Sequence, residues 1–330
     1  MVRARLIRSD PWLHDRLLRD ATPPSSYVWA DRDEEPDISI FLTPLVHDRA
    51  APERLHTLRP RDLSRLFIFS QADIPVPWAP GMFTSLSARQ AGPEFAGGCY
   101  VIPGYFAEPG GVGDLLDRVA QPVDAPGGAA QPPDLLWSFF GSVRTHEALR
   151  TRIIALDDAR CCARDSQAWH TVRWEVDGDR AHRRREAVAA YVRSVARAKF
   201  VVAPRGVGPS SMRLFEAMRA GRAPVVVSDD WLPPAFIDWD SCSIRIREAE
   251  IESLPMILRE REPEAEGLGV RAREVWERRF APSTMVHHIV ETCIRIDEQN
   301  PRPHKRVRIA ASGIARREAL RRARAILRAP

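Results

Sequence analysis

The sequence predicts an α/β protein of two layered domains, each built around a mostly parallel sheet, and three observations carry that prediction. Short β-branched or aromatic runs recur along the chain and stop at Pro, Gly, Ser or Asp. They alternate with helical stretches, the rhythm that parallel sheets require. Both halves repeat the plan, and residues 109–133 between them are rich in Gly, Pro and Ala, which reads as a linker with one helical turn at 114–119.

Taken in order, residues 1–35 are polar and mixed, with a loop at Pro23-Pro24-Ser25-Ser26. The first strand is expected over 38–42 (ISIFL), running on to His47-Asp48, with a helix within 50–64. Residues 66–69 (LFIF) have the apolar character of a buried parallel strand and end at Asp73. Pro75, Pro77 and Pro80-Gly81 then argue against regular structure, and a third strand is read at 100–102. These elements make a first domain over 1–108. A second, over 134–280, opens on a strand at 135–140 and a helix over 144–156. A strand at 171–176 and a helix at 186–197 follow. Strands at 200–202, 225–227 and 242–246 come next, with helices over 248–258 and 267–279. A C-terminal helix at 282–297 lies within 281–300, ahead of a basic tail, 301–330.

Composition narrows the function classes. The formal charge of +5 is unevenly spread: 301–330 hold ten Lys or Arg against the single acid Glu318, which leaves the preceding residues net acidic. A basic stripe is confined to the tail, and no helix-turn-helix or stacking motif accompanies it, so nucleic acid is not the expected partner. No apolar run approaches the roughly 18 residues of a membrane span, and the first residues lack an apolar signal core. Five cysteines, Cys99, Cys161, Cys162, Cys242 and Cys293, are odd in number and lack CxxC spacing. Reduced thiols in a cytoplasmic protein are expected, not a disulfide framework or zinc site.

Residues 199–229 carry the chemistry: strand, glycine-containing loop, helix, strand. The start of a helix offers unpaired amides and the positive end of its dipole, so the loop 205–211 is an anion site. Gly206 and Gly208 allow close backbone approach, Ser210 and Ser211 supply hydroxyls, and Arg205 and Arg213 supply forked charge suited to a diphosphate. Glu216 lies in a helix that otherwise reads as buried. It either pairs with Arg213 at i, i+3 or accepts the ribose hydroxyls of a nucleotide. Two familiar phosphate motifs fail: no Lys follows Gly208, and the loop lacks the third glycine of GxGxxG, which counts against a nicotinamide enzyme.

The stretch PRGVGPSSMRLFEAMRAGRAPVVVSDDWLPPAFIDW (204–239) resembles the donor-binding core of the exostosin-type glycosyltransferases. In the same order, WSFFGSVRTHEALR (137–150) and AVAAYVRSVARAKFVVAPRG (187–206) are similar to that family's strand and helix blocks. CYVIPGYF (99–106) and SRLFIFSQAD (64–73) resemble segments of its first domain. The likeness is dense over 135–260 and thin over 38–106. It implies a GT47-like protein of GT-B fold: two Rossmann-like domains with parallel sheets facing a cleft, acceptor on the first and nucleotide-sugar on the second. It further implies inverting transfer, without an obligatory metal or other cofactor, from a UDP-linked sugar to a glycan, glycoconjugate or lipid-linked acceptor in polysaccharide biosynthesis. Carried over by position, Arg205, Gly206, Gly208, Ser210, Ser211, Arg213 and Glu216 would hold the donor, with Gly141, Ser142 and Arg144 approaching from the neighbouring strand. Val201-Val202 stand where many relatives have cysteines, and many relatives are membrane-anchored in a secretory lumen.

A general base is sought on loops after strands of the first domain, where Asp73 stands first and His47 and Asp48 next, although each also suits loop capping. Asp177-Gly178-Asp179 spells a metal-binding DxD but reads as a hairpin turn. Asp229-Asp230 either borders the sugar pocket or caps its loop, and Trp231 and Trp239 read as packing residues. The tail is a solvated or disordered basic segment that could touch an anionic leaflet. The competing function is a catalytically inactive relative that holds a nucleotide-sugar or glycan without turnover.

Overall fold

The computed structural model describes residues 1–330 except 32, 44–64, 76, 78, 101–110, 122–131, 157, 167–177 and 301–330. The chain divides into two compact units, one made of Met1–Cys99, Leu232–Ala235 and the described residues from Pro282 on, the other of Tyr100–Trp231 and Phe236–Ala281. Every strand pairing described is parallel, as the alternation of strands and helices requires. No helix among the described residues is long and apolar enough to cross a membrane.

The first unit holds six strands, β1 (Val2–Ile7), β2 (Tyr27–Trp29), β3 (Ile38–Thr43), β4 (Leu66–Ser70), β5 (Gly81–Phe83) and β6 (Phe95–Gly97), in the order β2-β1-β3-β4-β5-β6. β3 and β4 lie at the centre and are buried throughout. The polar opening of the chain, in which no strand or helix is read from sequence, holds β1, a helix and β2. In β1 the apolar Ala4 and Leu6 alternate with Arg3 and Arg5, the period of a half-covered strand. Arg3 binds Asp37, and Arg5 donates to the carbonyls of Asp31 and Glu34, both at 2.6 Å. Helix α1 (Pro11–Arg19) starts where Asp10 caps Leu13 at 3.0 Å and Pro11 opens the first turn.

Two further readings of this half are corrected. β5 follows directly on Pro80, and Gly81 makes that possible: its φ is +146°, and a Cβ there would stand 2.0 Å from the Ile68 carbonyl oxygen. Of the third strand read at 100–102, Tyr100 is not in a strand and residues 101–102 lie outside the described residues, while β6 at 95–97 was not read from the sequence. His47, Asp48 and the helix expected within 50–64 also lie outside it.

The second unit begins with helix α2 (Val112–Val119), followed by strand β7 (Leu135–Gly141), helix α3 (Glu147–Ile154) and strand β8 (Cys161–Asp165). Helix α4 (Gly178–Arg197), β9 (Ala198–Pro204), helix α5 (Met212–Arg219), β10 (Ala223–Val227) and β11 (Ile244–Ile246) come next. Helices α6 (Leu254–Glu260) and α7 (Ala265–Arg279) close it. The sheet order, β11-β10-β9-β7-β8, is the doubly wound order 2-1-3-4-5 read from the other side. One face buries Trp137, Phe139, Phe200, Val202, Val225 and Val227, and the other packs Phe140 and Val201 against α2, α4 and α5. Helix α8 (Met285–Gln299) returns to the first unit, where Tyr27 hydroxyl meets His287 Nδ1 at 2.8 Å.

Several boundaries differ from the sequence reading for local reasons. The stretch read as a linker contains α2, whose Val112, Leu116 and Val119 form a buried stripe in spite of the Gly-rich surroundings. Asp117 on that helix accepts from Arg219 at 2.6 Å and Arg273 at 2.7 Å, tying α2 to α5 and α7. The turn expected at Asp177-Gly178-Asp179 is not a hairpin, because Gly178 and Asp179 open α4. The strand expected at 171–176 lies outside the described residues, and the edge strand β8 at 161–165 was not foreseen. Pro255 divides the helix expected over 248–258 into a 3₁₀ segment, Glu248–Ser253, and α6.

Candidate functional site

In a sheet of order 2-1-3-4-5 the ligand crevice lies at the carboxyl ends of the first and third strands, where successive connections leave in opposite directions. Those strands are β7 and β9. Gly141 ends β7 and Ser142 follows it, while Arg205 and Gly206 follow β9. Two loops singled out from sequence are thus brought side by side.

A residue that sequence reasoning passed over joins them. Arg150 of α3 donates from Nη1 to the Ser142 carbonyl at 2.9 Å, from Nη2 to the Pro204 carbonyl at 3.0 Å and from Nε to the Arg205 carbonyl at 2.9 Å. The available signal was its position: Leu149, Arg150 and Ile153 share the buried side of α3. Arg144, the cation chosen instead, stands exposed on the 3₁₀ turn Val143–Thr145.

The loop after β9 leads into α5. Its N-cap, Ser211, is extended at φ −137° and ψ 132°, and its hydroxyl makes no capping bond, so the helix start is left to other partners. Neither Gly206 nor Gly208 adopts a positive φ. A Cβ on Gly206 would meet nothing nearer than 3.5 Å, at Arg150 Nη2. The fold's own packing therefore does not force glycine at 206.

Hydrogen-bonding capacity separates the predicted residues into two groups. Among the described residues, Ser166 Oγ, Arg205 Nε, Ser210 Oγ and Ser228 Oγ are buried without a hydrogen-bond partner. Ser166 directly follows β8, Arg205 follows β9, Ser228 follows β10, and Ser210 stands just before α5. Buried polar groups are satisfied in the great majority of cases. Four of the ten side-chain exceptions among the described residues thus lie along the carboxyl edge of this sheet, while others, such as Thr292 Oγ1, lie elsewhere. Arg205 Nη1 lies 3.6 Å from Glu248 Oε1, and Glu248 exchanges bonds with Asp229: Asp229 N donates to Glu248 Oε1 at 3.2 Å and Glu248 N donates to Asp229 Oδ1 at 3.0 Å. Asp229 thus caps its loop, and Glu248 brings to this edge a carboxylate that the sequence reading had not placed there.

Arg213 and Glu216 form the other group. Both are buried, and Arg213 Nη1 donates to Glu216 Oε2. The same oxygen accepts from the Tyr191 hydroxyl at 2.6 Å, and Arg213 Nε donates to the Phe140 carbonyl at 2.7 Å. The Arg213 guanidinium also lies 4.3 Å from the centre of the Tyr191 ring. Of the two readings of Glu216, the ion pair is therefore present. Trp231 and Trp239 pack edge to face with centroids 5.0 Å apart, as packing residues do.

In the first unit, Asp73 is exposed just beyond the carboxyl end of β4, after the buried Ser70 and Gln71. Among the described residues no cluster of three or more His, Cys, Asp or Glu side chains is placed to hold a metal ion.

Comparison with known proteins bears on this same stretch. The family profile described as the Exostosin GT47 domain matches residues 135–261. Over 99 residues the chain is 35% identical to the exostosin-1 homolog of Caenorhabditis elegans, a match covering 29% of this chain and 22% of that protein. Over 77 residues it is 35% identical to a probable glucuronosyltransferase of Oryza sativa subsp. japonica, covering 23% of this chain and 18% of that protein. The matches thus span about a fifth of the length of these curated relatives. A solved glycosyltransferase from Rickettsia africae ESF-5 superposes with a TM-score of 0.41 at 9% identity, over 89% of this chain and 98% of that one. That likeness is loose, and the α/β class rests on the two parallel sheets themselves. The strand ends of β7, β9 and β10 and the loop into α5 all fall within residues 135–261, the part of this chain that the Exostosin GT47 domain profile matches.

Proposed function

We propose that the protein is a glycosyltransferase that takes a nucleoside-diphosphate sugar, UDP-linked, at the carboxyl edge of the second sheet and passes the sugar to a glycan or glycoconjugate with inversion. The observation that carries this reading is the set of buried, unpartnered donors at Arg205, Ser210, Ser228 and Ser166, next to a helix start whose serine does not cap it. A diphosphate at the ends of β7 and β9 would satisfy the central members of the set: Arg205 Nε and the Ser210 hydroxyl donate to its oxygens, and the α5 amides add the positive end of the helix dipole.

In the proposed reaction the acceptor hydroxyl oxygen bonds to the anomeric carbon while the bond from that carbon to the diphosphate oxygen breaks. A base removes the hydroxyl proton, and the departing charge is stabilised by the same donors that bound the ground state. Asp73 is the proposed base, on a first unit that takes the acceptor in a GT-B arrangement. No step in this scheme draws on a resident metal or cofactor. Glu216 contributes by holding Arg213 at the start of α5.

Calorimetric titration with UDP, GDP and a panel of nucleotide-sugars tests the reading. Saturable binding that is lost in Arg205→Ala supports it, and a failure of every nucleotide and nucleotide-sugar to bind would sink it. Donor turnover separates a transferase from a relative that only holds the ligand. We further propose a cytoplasmic protein whose basic residues 301–330 touch an anionic leaflet, motivated by the ten cations of that segment. Unchanged sedimentation with phosphatidylserine vesicles after removal of 303–330 would refute that contact.

A further inference from the structure

We propose that Arg150 is a positioning residue for nucleotide binding: one guanidinium sets the spacing of the two loops that take the diphosphate and places a permanent positive charge beneath them. The inference rests on the nucleotide-binding reading above and deepens it.

The three carbonyls that accept from Arg150 are not scattered through the core. Ser142 is the first residue past β7, Pro204 is the last of β9, and Arg205 is the first past it. The hydrogen bonds therefore fix the two strand ends that flank the ligand crevice of this sheet order. Glycine positions mark how close the guanidinium lies beneath both loops. A Cβ built on Gly141 would stand 3.2 Å from Arg150 Nη1, and one on Gly206 would stand 3.5 Å from Nη2.

The rest of the side chain is held as firmly. Its guanidinium carbon lies 5.6 Å from the centre of the Phe139 ring, and the residue is 7% exposed. A planar fork can serve three carbonyls at once, and its charge is not lost at any pH the protein survives. A lysine brings the same charge but only one nitrogen on a flexible stem, so it cannot hold both strand ends in one geometry. A preorganised pair of loops binds without a reorganisation cost, and the buried charge favours a ligand in proportion to its own negative charge.

That last point separates positioning from simple structural support. Affinities for UDP, UMP and uridine are measured by calorimetry for the wild type and for Arg150→Lys and Arg150→Gln, with thermal unfolding as the check on folding. For UDP, loss of roughly tenfold or more is expected in both variants, the scale of a few charge-assisted hydrogen bonds. Uridine affinity is expected to stay within about twofold, because the nucleoside carries no phosphate. Unchanged UDP affinity, or an equal loss for UDP and uridine, overturns the proposal.

Hydrogen exchange of the wild type supplies a second test that needs no variant. Addition of UDP should slow exchange together in peptides covering 139–145 and 203–208, because Arg150 couples them. Protection of 203–208 alone overturns the coupling. A wild type that binds no nucleotide removes the functional reading itself, whereas binding that ignores Arg150 removes only this inference.

Discussion

Arg213 and Glu216, one turn apart on α5, are committed to each other and to Tyr191, with side chains only 9% and 3% exposed. Removing either charge strands the other in a place water does not reach. Arg213→Met is therefore expected to destabilise the protein by about 3–5 kcal/mol in urea unfolding. The double variant Arg213→Met/Glu216→Leu should cost less than the sum of the two single changes, because it leaves no lone buried charge. Additive losses would show that the pair does not act as a unit.

Ser210 offers the opposite case. Its hydroxyl is buried without a partner, so Ser210→Ala removes an unsatisfied group and should leave the unfolding free energy within about 0.5 kcal/mol of wild type, or raise it slightly. UDP affinity should nevertheless fall roughly tenfold, since a hydrogen bond to a charged phosphate is lost. Stability lost with affinity retained would assign Ser210 to packing.

Gly81 is needed for backbone reasons. With φ at +146° and the Ile68 carbonyl oxygen 2.0 Å from any Cβ, Gly81→Ala must push β5 off β4. A cost of roughly 3 kcal/mol or more is expected, the range of strained backbone combined with a core clash. Gly206→Ala, with its nearest neighbour at 3.5 Å, should cost little by comparison in the same unfolding assay.

Acid should expose the charge pairing at the other end of the second sheet. Glu262 accepts from Arg160 and from Lys199, and these hydrogen bonds lower its carboxyl pKa from the ordinary 4.5 to about 2. A lowered folded-state value gives stability that is present in full above the unfolded value, about 4.5, and fades as pH falls toward about 2. Thermal unfolding followed from pH 6 to pH 2.5 should therefore decline less steeply in Glu262→Gln than in the wild type. Parallel curves would mean that other carboxylates dominate.

Periodicity and punctuation showed most of the second unit in advance. The runs at 135–140, 200–202 and 225–227 are apolar on both faces, as strands covered by helices on both sides must be, and all three became strands. The loop at 205–211 was legible because Pro204, the glycines and the serines mark where a strand ends and a helix begins. Less was legible in the first unit. There β1 carries two arginines and β5 follows a proline, so their strand character depends on Asp37 and on the fit of Gly81 against Ile68.

Local sequence was enough to establish the α/β class, the parallel sheets and the loop that opens α5, because hydrophobic period and turn chemistry act within a few residues. It could not say which polar groups would be used up and which left over. Arg213 and Glu216 read either as a pair or as ligand-binding groups and are joined, while Arg205 and Ser210 keep unpartnered atoms. Arg150 looked like one more arginine on a helix and proved to hold two strand ends. The Arg150 bonds to the Pro204 and Arg205 carbonyls join residues 54 and 55 apart along the chain, and only the folded sheet brings such groups within hydrogen-bonding distance.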